Sequence, residues 1–228
     1  MAAVTTQQPQ ASDQSGPDSV LLKSGPVTIR RLRNSEEDFK FFARVLVEAF
    51  EGKFVYATSK RSLPDMEQFL MNRVRNLPPE YYERNLVGEY EGERACACVL
   101  VYNGDSEIFP EREEDMPPLG CTDICGLVCM DCALGGEKAP PGKCYLDAIG
   151  VDAKFRGKGV GKVMLDAADA DARRKGCKSI YLKVACDNRA KHLYERHGYV
   201  LKDRTSRCCC MWCQTGIKII EGKIPCLS

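Results

Sequence analysis

Three glycines at alternate positions, Gly157, Gly159 and Gly161, separate an apolar run from a segment with helical spacing. The stretch Val151-Asp152-Ala153-Lys154-Phe155-Arg156-Gly157-Lys158-Gly159-Val160-Gly161 constrains the fold more than any other. Glycine lets the main chain approach a ligand with no side chain in the way. The helix that follows opens with N–H groups lacking an intrahelical acceptor and with the positive end of its dipole, which together suit an anion. Arg156 and Lys158 add positive charge. The segment reads as strand, turn and helix with a phosphorylated ligand over the turn. The competing reading is an ordinary glycine-rich turn.

Two common phosphate motifs do not fit. A Walker loop needs G-x-x-x-x-G-K-[ST], but Gly157 to Gly161 is one residue short, and Val163 stands where a hydroxyl should bind Mg²⁺. A dinucleotide fingerprint needs a third glycine at 162, which is Lys162. What fits is Arg-x-x-Gly-x-Gly, carried by Arg156, Gly159 and Gly161.

The following segments extend the unit. Val160, Val163, Met164, Ala167 and Ala168 recur at helical spacing, and Arg173-Arg174-Lys175-Gly176 ends that helix. Ser179 to Ala185 alternates as a strand. Asn188 suits an N-cap, Arg189 to His197 a short helix, and Tyr199 to Arg207 another strand. Both the Arg-x-x-Gly-x-Gly turn and the second pattern, Asn188-x-Ala190 with Leu193-Tyr194-Glu195-Arg196-His197-Gly198-Tyr199, resemble the cofactor motifs of the GNAT superfamily of acetyl-CoA-dependent N-acetyltransferases. The resemblance is clear over about residues 144–202 and weaker over 27–102. It implies an α+β fold with a mixed, largely antiparallel central sheet and helices on both faces.

The resemblance also implies a site. Strands 145–151 and 179–185 would splay apart, with the pantetheine of acetyl-CoA in the gap. A backbone N–H of Ile149, Gly150 or Val151 would meet the thioester carbonyl. The main chain of Arg156, Gly157, Lys158, Gly159, Val160, Gly161 and Lys162 would hold the diphosphate. Asn188 would bond pantetheine or cap its helix. Tyr194 occupies the position of the acid that protonates the leaving thiolate, and an ordinary phenol pKa near 10 matches that task. The rival reading is a helix tyrosine packed on the sheet.

Asp147 lies mid-strand, where strict alternation puts it on one face with Tyr145, Ile149 and Val151. A carboxylate there needs a partner or a wet site. It reads as the base that takes the amine proton, or equally as half of an ion pair, with Tyr145 as an alternative relay. His192 and His197, the only histidines, read as structural.

The rest of the 228 residues is organised around this unit. Residues 1–25 read as a disordered tail and 26–228 as one domain with a cysteine-rich insertion at 103–142. Val27 to Leu32 alternates as a strand. Ser35 caps a helix bearing Phe39, Phe42, Leu46 and Phe50, and a second helix follows Pro64. The stretch 51–61 between them reads as a loop, in a region that flanks the acceptor in GNAT proteins. A hairpin turns at Glu91-Gly92-Glu93, and its second strand carries Cys96, Cys98, Leu100 and Tyr102 on one face. A last strand is expected over 218–224.

Net charge is +1, so no global field favours nucleic acid or an acidic membrane. No run reaches the roughly 20 apolar residues of a membrane helix, and no signal-peptide layout is expected at the start. Fourteen cysteines without an export signal suggest reduced thiols in the cytoplasm, or the nucleus. Cys121, Cys125, Cys129 and Cys132 span about 16 Å along a helix, too far for one zinc ion with bonds of about 2.3 Å. Cys129-x-x-Cys132 with Cys210-x-x-Cys213 is a better pairing, but the expectation is no metal. The function expected is direct transfer of acetyl from acetyl-CoA to the amine of a small molecule or a protein. The alternatives are a non-catalytic acyl-CoA-binding regulator and an acyltransferase with another acceptor.

Overall fold

The computed structural model describes residues 19–102, 120, 139–185, 188–205 and 217–223. Eight strands form one sheet: β1 (Val20–Ser24), β2 (Val27–Arg31), β3 (Asn85–Tyr90), β4 (Glu93–Tyr102), β5 (Lys143–Val151), β6 (Ser179–Ala185), β7 (Val200–Thr205) and β8 (Ile217–Lys223). Their order is β1-β2-β3-β4-β5-β6-β8-β7. Every neighbouring pair is antiparallel except β5 and β6, which run parallel. The described helices are α1 (Glu36–Ala49), α2 (Glu51–Ala57), α3 (Leu63–Arg75), α4 (Pro79–Tyr82), α5 (Val160–Arg174) and α6 (Lys191–Arg196).

Alternation along β4 distributes two cores. Cys96, Cys98 and Leu100 face α5, where they pack with Met164, Leu165 and Ala168 from the helix and Ile180 and Leu182 from β6. Ala97 and Val99 face the other way, against Phe39, Phe42 and Leu46 of α1 and Val74 of α3. Burying each large apolar side chain contributes roughly 1.5–3 kcal/mol. Two helix layers therefore clamp the sheet, as the α+β reading requires.

Charges are buried as well. Asp38, in the first turn of α1, accepts from Arg30 at 2.6 and 2.9 Å and from Arg94 at 2.6 Å. Burial would raise the Asp38 carboxyl, but the hydrogen bonds from Arg30, the Arg33 N–H and Arg94 hold it below the usual carboxylate range. Asp171 of α5 takes both arms of Arg31 at 2.8 and 2.7 Å and also accepts from Tyr102. These pairs tie α1 and α5 to opposite faces of β2.

Two expectations are corrected. Within the tail expected through residue 25, Val20–Ser24 pairs with β2 as β1, and residues 1–18 lie outside the described residues. The loop expected over 51–61 is mostly helix: α2 follows a break at Phe50 and is closed by the Thr58 hydroxyl, which donates to Phe54 O at 2.8 Å, and a 3-10 turn spans Lys60–Ser62. Nearly all of the 103–142 insertion lies outside the described residues, as do Cys129, Cys132, Cys210 and Cys213.

Candidate active site

The site begins where two strands part. β5 and β6 pair through Lys143↔Ser179, Cys144↔Ile180 and Tyr145↔Tyr181, and there the ladder stops. β5 continues to Val151 against β4, while β6 continues to Ala185 against β8 alone. From Leu146 to Val151, β5 therefore presents main-chain groups to an open wedge.

A bulge shapes that edge. Val99 pairs with Ala148 but Leu100 pairs with Leu146, so Asp147 is the extra residue. This corrects the strict alternation read from the sequence. Tyr145 packs with Val101 and Tyr181, and Ala148 with the α1 core, whereas Ile149 and Val151 pack on the α5 side. Asp147 thus sits where β5 changes face, half-buried, and does not share one face with Tyr145, Ile149 and Val151. Gly150 has a packing role too: a Cβ there would lie 2.7 Å from Val45 O of α1.

Beyond β5 the chain makes the glycine turn. Asp152 caps a 3-10 turn (Ala153–Phe155) by accepting from Lys154 N at 2.9 Å, and its other oxygen binds Arg44 of α1 at 2.7 Å. Phe155 is buried against Tyr90, ring centres 5.7 Å apart. Gly159 then caps α5 in the left-handed region, at φ 80°. No side chain caps this helix; Lys162 N and Val163 N donate to Gly159 O at 3.0 and 3.2 Å, which leaves the Val160 and Gly161 N–H groups without an acceptor among the described residues. A Cβ on Gly159 would meet nothing within 4 Å, so its left-handed φ, not crowding, is what demands glycine there. Gly161 is different: a Cβ would come 3.1 Å from Leu193 Cδ2, so its absence lets α6 close over the turn. A cavity of about 380 Å³ lies between them, lined by Val151, Arg156, Gly157, Gly159, Val160, Gly161 and Lys162 on one side. Lys158 does not line it, because its ammonium lies over the Tyr90 and Phe155 rings.

The other candidates gather around β4. Tyr194 is buried beside Tyr199, and burial pushes its phenol well above the ordinary value that suits the acid role, with the nearby Cys98 adding to the effect, so before the coenzyme binds it is a weaker acid than expected. Its hydroxyl has no hydrogen-bond partner among the described residues. Burial likewise raises Cys98, and the charge of Asp147 raises it further. Asp147 and Tyr194 therefore both lie within electrostatic reach of the same β4 side chain. Tyr145 is on the opposite face, stacked on Tyr181 at 5.0 Å. Asn188 Oδ1 accepts from Ala190 N at 2.8 Å in a turn just before α6, whose N-cap is Ala190 with no side-chain cap bond, so the cap expected at Asn188 is corrected.

The sequence profile of the acetyltransferase (GNAT) family matches residues 54–199 of this chain. The chain belongs to the GNAT acetyltransferase family. Over 61 residues, 26% of the chain, it is 43% identical to mycothiol acetyltransferase of Propionibacterium freudenreichii, and the match spans 19% of that protein's length. Its fold is similar to that of PaiA N-acetyltransferase from Thermoplasma acidophilum, solved with coenzyme A (TM-score 0.53, 15% identity, covering 86% of this chain and 98% of that one). It is similar again to yncA, a putative acetyltransferase from Salmonella typhimurium solved with acetyl-CoA (TM-score 0.53, 12% identity, 88% and 95% covered).

In this GNAT fold the far wall of the cavity comes from α6: Leu193, Arg196 and His197. None of the three was expected at the site. The signal was present, since positions i, i+3 and i+4 share a helix face. His197, expected to be structural, has its Nε2 3.0 Å from Asp169 and also lines the cavity. His192 is exposed and paired with Glu195. No described helix is long and apolar enough to cross a membrane.

Proposed function

We propose that this GNAT protein transfers the acetyl group of acetyl-CoA directly to an amine of a small molecule or a protein. The observation that carries the reading is where the edge of β5 leads. Past Tyr145 that edge has no strand partner among the described residues, and its last residue, Val151, lines the cavity over the glycine turn, so a ligand anchored at Gly159 by its diphosphate would extend along β5 toward Asp147. Acetyl-CoA is the co-substrate and supplies the thioester.

Main-chain groups of Ile149, Gly150 and Val151 orient the pantetheine arm and polarise the carbonyl. The turn from Arg156 to Lys162 binds the diphosphate. The amine lone pair attacks the carbonyl carbon, the C–S bond breaks, and two protons must move. Tyr194, kept protonated by burial, gives its proton to the departing thiolate. Asp147, at the bulge, takes the proton leaving the amine, directly or through water. Tyr145 is the alternative relay, but it stands on the opposite face with Tyr181.

A covalent route through the four described thiols is disfavoured. Cys96, Cys98, Cys144 and Cys177 are all buried, and burial pushes Cys96 up to about 12, so little thiolate exists at neutral pH. These free thiols also support a reducing, cytoplasmic or nuclear setting.

The test is calorimetric titration with acetyl-CoA, followed by an amine panel read by thiol release. Micromolar binding with amine-dependent thiol release is expected. Tight binding without thiol release from any amine would make the protein a non-catalytic acyl-CoA binder. Release with hydroxyl compounds alone would reassign the acceptor.

A further inference from the structure

The cavity over the glycine turn is cationic on both walls, and among the described residues no carboxylate lines it. On the turn side the cations are already engaged. Arg156 Nε donates to Val151 O at 3.0 Å, and Lys162 Nζ pairs with Asp166 at 2.8 Å. On the α6 side, Arg196 is exposed and has no hydrogen bond, ion pair or ring contact among the described residues. Its backbone is nevertheless firmly placed. The next residue, His197, is held by Asp169, which also accepts from Tyr199 OH at 2.9 Å. Gly198 N and Tyr199 N close the helix end on Glu195 O and Tyr194 O at 3.1 and 3.0 Å.

We infer that Arg196 binds the 3′-phosphate of coenzyme A and makes the site selective for donors that carry it. This rests on the acetyl-CoA reading above. Coenzyme A bears two separate anionic groups. The diphosphate uses the amides of the turn, which leaves the phosphomonoester on the ribose needing a second cation. That group carries close to two negative charges at neutral pH. A guanidinium meets phosphate oxygens with two parallel N–H donors and stays charged at every relevant pH. With no carboxylate on the wall among the described residues, Arg196 has no competing side-chain acceptor there. A 3′-dephosphorylated donor would keep the thioester and diphosphate contacts and lose this one alone.

The experiment compares acetyl-CoA with acetyl-3′-dephospho-CoA by calorimetry on the full-length protein, on Arg196→Gln and on Arg196→Lys. Arg189→Gln serves as a control, because Arg189 is exposed on the same segment but does not line the cavity. The wild type is expected to prefer acetyl-CoA by about tenfold, the gain of one charged hydrogen-bonded contact. Arg196→Gln should abolish that preference by weakening acetyl-CoA alone. Arg196→Lys should keep part of it, and Arg189→Gln all of it. Equal losses for both donors would place Arg196 on the diphosphate and overturn the inference. A wild type that binds the two donors equally well would overturn it too. Failure to bind either donor would instead remove the acetyl-CoA reading on which it stands.

Discussion

The two ends of the proposed site are built on different principles. At the proposed diphosphate end the ligand contacts would be main-chain groups, and their geometry is set within eleven consecutive residues, from Asp152 to Lys162. At the proposed acetyl end the working groups would be side chains from β5 and α6, placed by the bulge at Asp147 and by the packing of Tyr194 with Cys98 of β4. On this reading the first end depends chiefly on backbone conformation, and the second on single functional groups.

The sharpest way to break that contrast is Gly159→Asp. The substitution forces a residue with a Cβ to keep φ 80° and puts a carboxylate where the diphosphate binds. Acetyl-CoA affinity is expected to fall by about a hundredfold or more, read by calorimetry. Because a Cβ there meets no atom within 4 Å, the fold should survive with only a modest loss of thermal stability. Unchanged affinity would detach the turn from the coenzyme.

At the other end, Tyr194→Phe should lower kcat by roughly a hundredfold while leaving acetyl-CoA binding within about twofold. The hydroxyl has no hydrogen-bond partner among the described residues, so its removal leaves no group stranded. Steady-state kinetics with a thiol probe measures the split. Full turnover would reduce Tyr194 to a packing residue. Asp147→Asn should cost about tenfold in kcat and flatten the acidic limb of the pH–rate profile. The sign follows from the role: a base works only when ionised, so activity through Asp147 falls as pH falls. A limb that persists in the variant would pass the role to Tyr145 or to water.

The smallest effect expected joins the two ends. Arg44 of α1 binds Asp152, which caps the turn that precedes the glycines. Burial favours the neutral acid, but the hydrogen bonds from Arg44 and Lys154 N outweigh it and hold the Asp152 carboxyl below the usual range. A depressed carboxylate pKa stabilises the folded turn above the unfolded value of about 3.9, and the benefit is lost as pH falls through the lower folded value. Arg44→Met should raise KM for acetyl-CoA about threefold, with kcat at saturation unchanged. The weakening should set in at higher pH than in wild type. An equal fall in kcat would show that α1 also positions the acceptor.

The same division explains what was legible in the sequence. The glycine turn, α5, the β3–β4 hairpin and β6 follow from local spacing and capping, and they stand where that spacing puts them. So does the face of β4 bearing Cys96, Cys98 and Leu100. The bulge was not legible, because an extra residue in one strand shows only against its partner, and it moved Asp147 off the face that alternation assigned. β1 was missed because Val20–Ser24, a Val-Leu-Leu run followed by Lys-Ser, shows no period-two alternation and reads as a strand only beside β2. The buried pairs of Arg30 with Asp38 and Arg31 with Asp171 were invisible for the same reason. An arginine next to another on a short strand reads as solvated until helices from both faces bring carboxylates to it. Arg196 and His197 were legible by spacing, but only the closure of α6 over Gly161 makes that face part of a cavity.

The most direct measurement is a residue-resolved amide NMR titration with coenzyme A. The account predicts large shifts of the Gly159, Val160, Gly161 and Lys162 amides at the first equivalents, joined by Ile149 to Val151 as the pantetheine arm settles along β5. Saturable binding that leaves those amides unmoved and perturbs another part of the surface would contradict it.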